Sequence, residues 1–370
     1  MLLSNIFRLG VKELRGLARD PVMVVLVIYA FTLQVYAEAT AFSDVPHNAA
    51  VAVVDEDRSQ LSQRIIDDFY PPQFTVPEVV STAEMDRRLD QGADTFVLDI
   101  PTHFERDVLA GRAPAIQLNV DANQMTEAFA GTSAVENVVA GAVTDLLQRH
   151  RTNFQPQVDI DLRTRYNPNL IYRWFLSVTS IMDSITLMTI VLTGAALIRE
   201  REHGTVEHLL VMPVQPVEIM LSKIWAMGLV VLVASALSLS IVVQGIMAVP
   251  VHGSPLLFTL GATLEILASA SMGIALATIA DSMPQFGLLA ILVILPLLVL
   301  AGSLSPRESM PWLARTVMLG APNTHFVILA QSVLFRDAGL GTVWPQLLAL
   351  AGIGAGLFLF ALMRFRRFLQ

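Results

Sequence analysis

Two acids, Asp183 and Glu265, each stand alone in a long apolar stretch of this 370-residue chain. A carboxylate inside a membrane costs several kcal/mol unless it is paired or meets water. Such residues suit a substrate path, cation binding or proton transfer. They equally suit hydrogen bonds that hold helices together, with Ser180, Thr186, Ser269 and Ser271 as nearby hydroxyl partners. Other chemistry is missing from the sequence. Without cysteine there is no thiolate nucleophile, disulfide or cysteine metal site. The seven histidines are scattered and show no His-Glu-x-x-His spacing. The two lysines, Lys12 and Lys223, lie outside any Gly-x-x-x-x-Gly-Lys-Ser/Thr loop, so no ATP site is expected. No catalytic, cofactor-binding or metal-binding residues are therefore expected in this chain. Asp55, Asp57, Asp99 and Asp121 fall at the ends of expected strands, where metal binding is conceivable and capping of turns and helix starts is the plainer reading.

The densest set of charges is in residues 199–223, a hairpin that holds Arg199, Glu200, Arg201, Glu202, Glu207, Glu218 and Lys223 between nearly uncharged stretches. A loop so charged between two membrane spans fits a meeting point for a soluble partner.

Composition sets the class of the elements that position these residues. The chain is 54% hydrophobic and 15% charged, against about a quarter charged in ordinary soluble domains. Apolar runs of roughly 20 residues, enough to cross a bilayer, recur at 21–42, 174–198, 224–250, 255–280, 284–304 and 343–363. The expected fold is thus an α-helical membrane protein with six transmembrane helices. Arg8, Lys12, Arg15 and Arg19 precede the first span; Arg199, Arg201 and Lys223 lie between the second and third; Arg364, Arg366 and Arg367 follow the last. Positive flanks stay cytoplasmic, and six spans put all three clusters, and both termini, on that side. About 20 residues precede the first apolar run, more than a signal peptide's basic region usually holds, so this span is expected to remain as an anchor. Residues 316–335 are uncharged too, but Pro322-Asn323-Thr324-His325 divides them into pieces too short to cross. Residues 308–335 are expected to be re-entrant or interfacial helices on the outer side.

Residues 43–173 differ in kind. They hold 20 acidic and 11 basic residues, a balance of −9, while the rest of the chain is near neutral. Strands are expected at Ala49–Val54, Phe74–Val80, Thr95–Ile100 and Ala115–Val120. Helices are expected at Ser59–Phe69, Thr82–Gln91 and Asn123–Arg151, the last with a possible break near Gly131 or Gly141. This is an inserted α/β extracytoplasmic domain. It could bind cationic partners or dock an envelope adaptor.

Residues 1–20 hold an amphipathic cytoplasmic helix whose Arg8, Lys12, Arg15 and Arg19 share one face and suit anionic membrane lipids. Asp20-Pro21 supplies an N-cap and a first-turn proline for the first span. In the hairpin, Gly204 fits the left-handed residue that ends a helix, Thr205 caps a short new helix with Glu207 in its first turn, and Pro213 and Pro216 end it.

Glu200-x-Glu202-x-Gly204-Thr205-x-Glu207-x-Leu209-Leu210, followed by Pro213, Glu218 and Lys223, resembles the cytoplasmic signature of type 2 ATP-binding cassette (ABC) exporter permeases. Pro322-x-Thr324-x-Phe326 is similar to the family's segment before its last span. A large outer domain opening on a strand like Val51–Asp55 resembles the drug-exporter-like branch. One departure is Ser222, where a glycine is usual. The resemblance covers essentially the whole chain. It implies a permease subunit in a bacterial inner membrane that moves a small amphiphilic or lipid-like molecule outward. It also implies a separate ATPase subunit, with ATP and Mg bound there, docked on Arg199, Glu200, Glu202, Gly204, Thr205, Glu207, Glu218 and Lys223. A second copy or a sister permease would complete the pair, and a periplasmic membrane-fusion adaptor is a further partner. No nucleic acid is expected among the partners.

Two competing classes stay open at this point. One is a proton-coupled secondary transporter using Asp183 and Glu265, for which inverted repeats would be expected and none are visible. The other is a non-transporting scaffold for the acidic domain. Only the ABC reading needs the hairpin's charges.

Overall fold

A computed structural model describes residues 2–41, 48–121, 125–150, 172–202, 204, 214–251, 253–302 and 310–368. The chain divides into two compact units, Met1–Ala39 with Trp174–Gln370, and Thr40–Arg173.

The first unit is helical. Helix α1 spans Leu2–Ala18. Among the described residues, six helical stretches are long and apolar enough to cross a membrane: Pro21–Thr40, Arg173–Glu202, Pro216–Ile246, Pro255–Ala277, Met283–Leu300 and Leu340–Arg367. They are numbered here as spans 1 to 6. Local sequence explains where several begin. Asp20 accepts a hydrogen bond from the Met23 amide, with Pro21 in the first turn. Gln215 and Glu218 form a capping box ahead of span 3, with Pro216 in its first turn. Ser254 caps span 4 beside Pro255. A proline costs nothing in a first turn, where its missing N–H has no helical partner. Span 1 is interrupted at Thr32, between the helices α2 (Pro21–Phe31) and α3 (Leu33–Thr40). Span 3 winds on as π-helix over Ser238–Ile246. Between spans 5 and 6, Trp312–Met318 and Pro322–Arg336 meet at a bend of 86°. Of the spans, Arg173–Glu202 and Pro255–Ala277 are the most enclosed.

The second unit is an α/β layer. Its four-stranded sheet has the order β2-β1-β3-β4, with β1 Val51–Asp55, β2 Glu78–Val79, β3 Phe96–Ile100 and β4 Gln117–Val120. β1 runs parallel to β2 and β3, and β4 is antiparallel to β3. A central parallel strand is apolar on both faces, and Val51 to Val54 are all buried. Val51 and Val53 pack with helices α4 (Gln60–Asp67), α6 (Phe104–Leu109) and α7 (Met125–His150). Ala52 and Val54 face Met85 and Leu89 of α5 (Thr82–Asp90).

Three sequence expectations need adjustment. The strand expected at Phe74–Val80 shrinks to Glu78–Val79, because Pro77 has no N–H for the ladder. Helix α6 was not expected at all. The long helix α7 passes Gly131 and Gly141 without a break, and Gly131 lies so close to the Phe96 ring that a Cβ would collide with it.

Two of the acids at the strand ends, Asp55 and Asp57, cap loops. Asp55 accepts from the amides of Asp57 (3.1 Å) and Arg58 (2.8 Å) and from the Ser62 hydroxyl (2.9 Å). Asp57 accepts from the Glu105 amide at 3.0 Å, at the start of α6. Among the described residues no group of three or more acids and histidines is placed to hold a metal ion.

Candidate functional site

The end of span 2 reads Arg199-Glu200-Arg201-Glu202, and each of these side chains reaches a different neighbour. Arg199 lies 2.7 Å from Asp20, the cap of span 1. Glu200 lies 2.7 Å from Lys12 of α1 and 2.7 Å from Lys223 of span 3. Arg201 donates to the Ala280 carbonyl at 2.6 Å and to Asp281 at 2.9 Å, in the turn between spans 4 and 5. Glu202 accepts from the Met283 amide at 2.8 Å, at the N-terminus of span 5, where exposed N–H groups and the helix dipole favour an anion. Four consecutive residues therefore fasten span 2 to α1 and to spans 1, 3, 4 and 5 at one end of the bundle.

At the centre of this arrangement is Lys223, only 1% exposed, between Glu13 at 3.0 Å and Glu200 at 2.7 Å. With Lys12 the cluster holds two cations and two anions. A buried ammonium without such partners would be strongly destabilising. Burial works against the charge on Lys12, but the hydrogen bond and charge of Glu200 outweigh it and hold this ammonium above the ordinary lysine range.

Two further contacts hold α1 against span 3. Glu218, buried, accepts from the Gln215 amide at 2.6 Å and from the Asn5 amide group at 3.2 Å. Trp225 donates to the Ile6 carbonyl at 3.1 Å and stacks on Phe7 at 5.8 Å. Gly10 permits that approach, since a Cβ there would strike the indole ring. Arg8, Lys12 and Arg15 of α1, and Arg19 just beyond its end, are exposed. Ser222 is buried and bonds to the Ile219 carbonyl of its own helix. Gly204 follows the helix end with φ +65°. Thr205 and Glu207 lie outside the described residues.

The intramembrane acids separate. Glu265 of span 4 is fully enclosed, at 0% exposed. It accepts from Ser269 at 2.6 Å and lies 3.0 Å from the Thr186 hydroxyl of span 2. Thr186 is also 3.1 Å from Asn323, and Asn323 donates to the Leu297 carbonyl of span 5 at 3.3 Å. One polar cluster thus joins spans 2, 4 and 5 to the start of Pro322–Arg336. The hydrogen bonds of Glu265 run to Thr186 and Ser269 and not to Asp183, which is partly exposed on the same helix as Thr186. Ser271 bonds within its own helix.

Sequence reasoning missed Glu13, Gly10, Asn5, Trp225 and Asn323. Glu13 carried a visible signal, as the one acid of a basic helix in a chain whose other lysine lies in apolar surroundings.

The fold and this site define a membrane-embedded transport subunit. The chain belongs to the ABC-2 family of transporter proteins, whose model matches residues 21–363. It is a permease of an ABC transporter, a transport subunit and not itself an enzyme, and its family works with a separate ABC ATPase. It is 53% identical over 365 residues to the inner membrane transport permease YhhJ of Escherichia coli K12, covering 99% of this chain and 98% of that protein. It is 27% identical to the probable multidrug ABC transporter permease YbhR of the same organism, over 96% of each. The probable multidrug ABC transporter permease YbhS is 26% identical over 88% of this chain and 87% of its own length.

Proposed function

We propose that this chain is the permease of an exporter that moves a small amphiphilic or lipid-like molecule outward across a bacterial inner membrane, as a pair with a second copy or a sister permease. A separate ATPase, carrying ATP and Mg, docks at the hairpin and α1. The observation that carries this reading is the four-way fastening at Arg199–Glu202. A force applied to the hairpin there reaches α1 and four other spans together. The inner-membrane and multidrug names of the E. coli relatives support location and cargo class. The three basic clusters support cytoplasmic termini, an outer position for the acidic α/β unit, and a re-entrant path for Trp312–Arg336. That acidic unit is then available to a periplasmic adaptor.

Within this reading the hairpin charges divide the labour. Arg199, Glu200, Arg201, Glu202, Glu218 and Lys223 hold the bundle end together, while Gly204, Thr205 and Glu207 present the docking element. Asp183 is the acid we assign to the cargo path, and the enclosed Glu265 fastens helices.

The test is co-purification with the ATPase and stimulated ATP hydrolysis. Glu207→Arg is expected to lose both while keeping the thermal midpoint of the permease. Survival of both activities would sink the docking assignment.

A further inference from the structure

The inserted domain contains a cavity of about 600 Å³ between α7 and the sheet. We infer that it binds an apolar organic cation of drug size. Small-molecule sites are typically apolar hollows of roughly 300–1,000 Å³ with few polar groups at fixed places. Here Ile116, just before β4, Leu118 of β4 and Val139, Val143 and Leu147 of α7 line the space and are partly exposed. Two contacts tie α7 to its neighbours. Gly131 is seated on the Phe96 ring, and Arg64 of α4 holds Asp145 at 3.0 Å. The turn Gly111–Pro114 also lines the space, and Gly111 and Ala113 add little bulk to it.

Charge selects the occupant. Arg112 at the rim is paired with Asp107 at 3.4 Å. Glu136, also on the rim, is exposed and has no cationic partner among the described residues. The domain around it carries a balance of −9. An apolar body with a positive group satisfies both walls and rim, whereas an anion meets repulsion. That this ligand is also the cargo rests on the export reading; that it binds does not.

The absence of cysteine makes a single introduced thiol a clean reporter. In purified full-length protein, Val143→Cys places it in the cavity and Gln117→Cys on the opposite side of β4. The probe is tetraphenylphosphonium, with neutral triphenylphosphine oxide as its comparison, and the readout is the rate of labelling by N-ethylmaleimide. The cation is expected to slow labelling about tenfold, equivalent to about 1.4 kcal/mol, at position 143 and not at 117. Adding Glu136→Gln to Val143→Cys is expected to remove most of that protection. No protection at 143, equal protection at both positions, or equal protection by the neutral compound would overturn the assignment. The measurement needs neither ATPase nor transport, so its failure leaves the export reading standing, and loss of ATPase docking leaves this site standing.

Discussion

Lys223 reaches from the start of span 3 to Glu13 on the N-terminal helix, 3.0 Å away, across 210 residues of sequence. Both groups are enclosed, so the pair is read against what remains when one member is removed. Lys223→Met leaves Glu13 and Glu200 to be balanced by the half-exposed Lys12 alone, in a site with little water. Breaking a buried pair this way costs about 3–5 kcal/mol. Glu13→Gln leaves Lys223 with Glu200 and a neutral donor-acceptor. The thermal midpoint of the solubilised protein is expected to fall steeply for Lys223→Met and much less for Glu13→Gln. Equal losses would mean that the ammonium is not the centre of the cluster.

The two glycines of α1 make a matched comparison. Gly10 faces Trp225 with no room for a Cβ, and Gly16 has no atom within 4 Å of that position. Gly10→Ala is expected to cost about 1–3 kcal/mol by overpacking and to loosen α1 from span 3. Gly16→Ala is expected to gain about 0.5–1 kcal/mol, because alanine suits a helix interior better than glycine. Limited proteolysis within residues 2–18 reads both, with faster cleavage for the first and none for the second.

What was legible in the sequence follows from locality. Asp20 with Pro21, and the left-handed Gly204, are set by a few neighbouring residues, and both stand as their residue types dictate. The long apolar runs need no partner to be recognised and return as six candidate spans. Helix α6 escaped notice because its support is remote. Its first residue follows His103 at φ +67°, and its N-terminal amide is satisfied by Asp57, 48 positions earlier. The clamp on Lys223 joins α1, span 2 and span 3, and the partners of Glu265 lie 79 and 4 positions away. Only the near one shares its helix face. The charges of Arg199–Glu202 were visible, but their pairing with α1 and with spans 1, 3, 4 and 5 is a property of the packed bundle.

Asp57 gives a pH-dependent prediction. Desolvation opposes its charge, but hydrogen bonds from Ser59 and from the backbone of Glu105, Phe104 and His103 together outweigh it and hold its carboxyl below the ordinary range. A carboxyl lowered in the folded state contributes stability that is fully present above its unfolded pKa, about 3.9, and is lost as pH falls through the folded value. Asp57→Asn keeps an acceptor but removes the charge. It is expected to cost about 0.5–2 kcal/mol at neutral pH, as for loss of a helix cap. The gap from wild type should close on acidification below pH ~4. A gap that persists unchanged at low pH would assign the loss to shape and not to charge.

Glu265 decides whether an enclosed acid serves the helices or the cargo. It accepts from Ser269 at 2.6 Å and sits 3.0 Å from Thr186, whose single proton also faces the Asn323 oxygen at 3.1 Å. Glutamine keeps an acceptor for Ser269 and adds a donor toward Thr186. Leucine removes both and leaves buried hydroxyls short of partners, at about 1–3 kcal/mol for an unsatisfied group. Glu265→Gln is therefore expected to preserve the thermal midpoint and export of both cationic and neutral dyes from reconstituted vesicles, and Glu265→Leu to lower all three. Should Glu265→Gln stay stable yet lose cationic dyes selectively, the carboxylate itself would be meeting the cargo, and the fastening role would belong to Thr186 and Asn323.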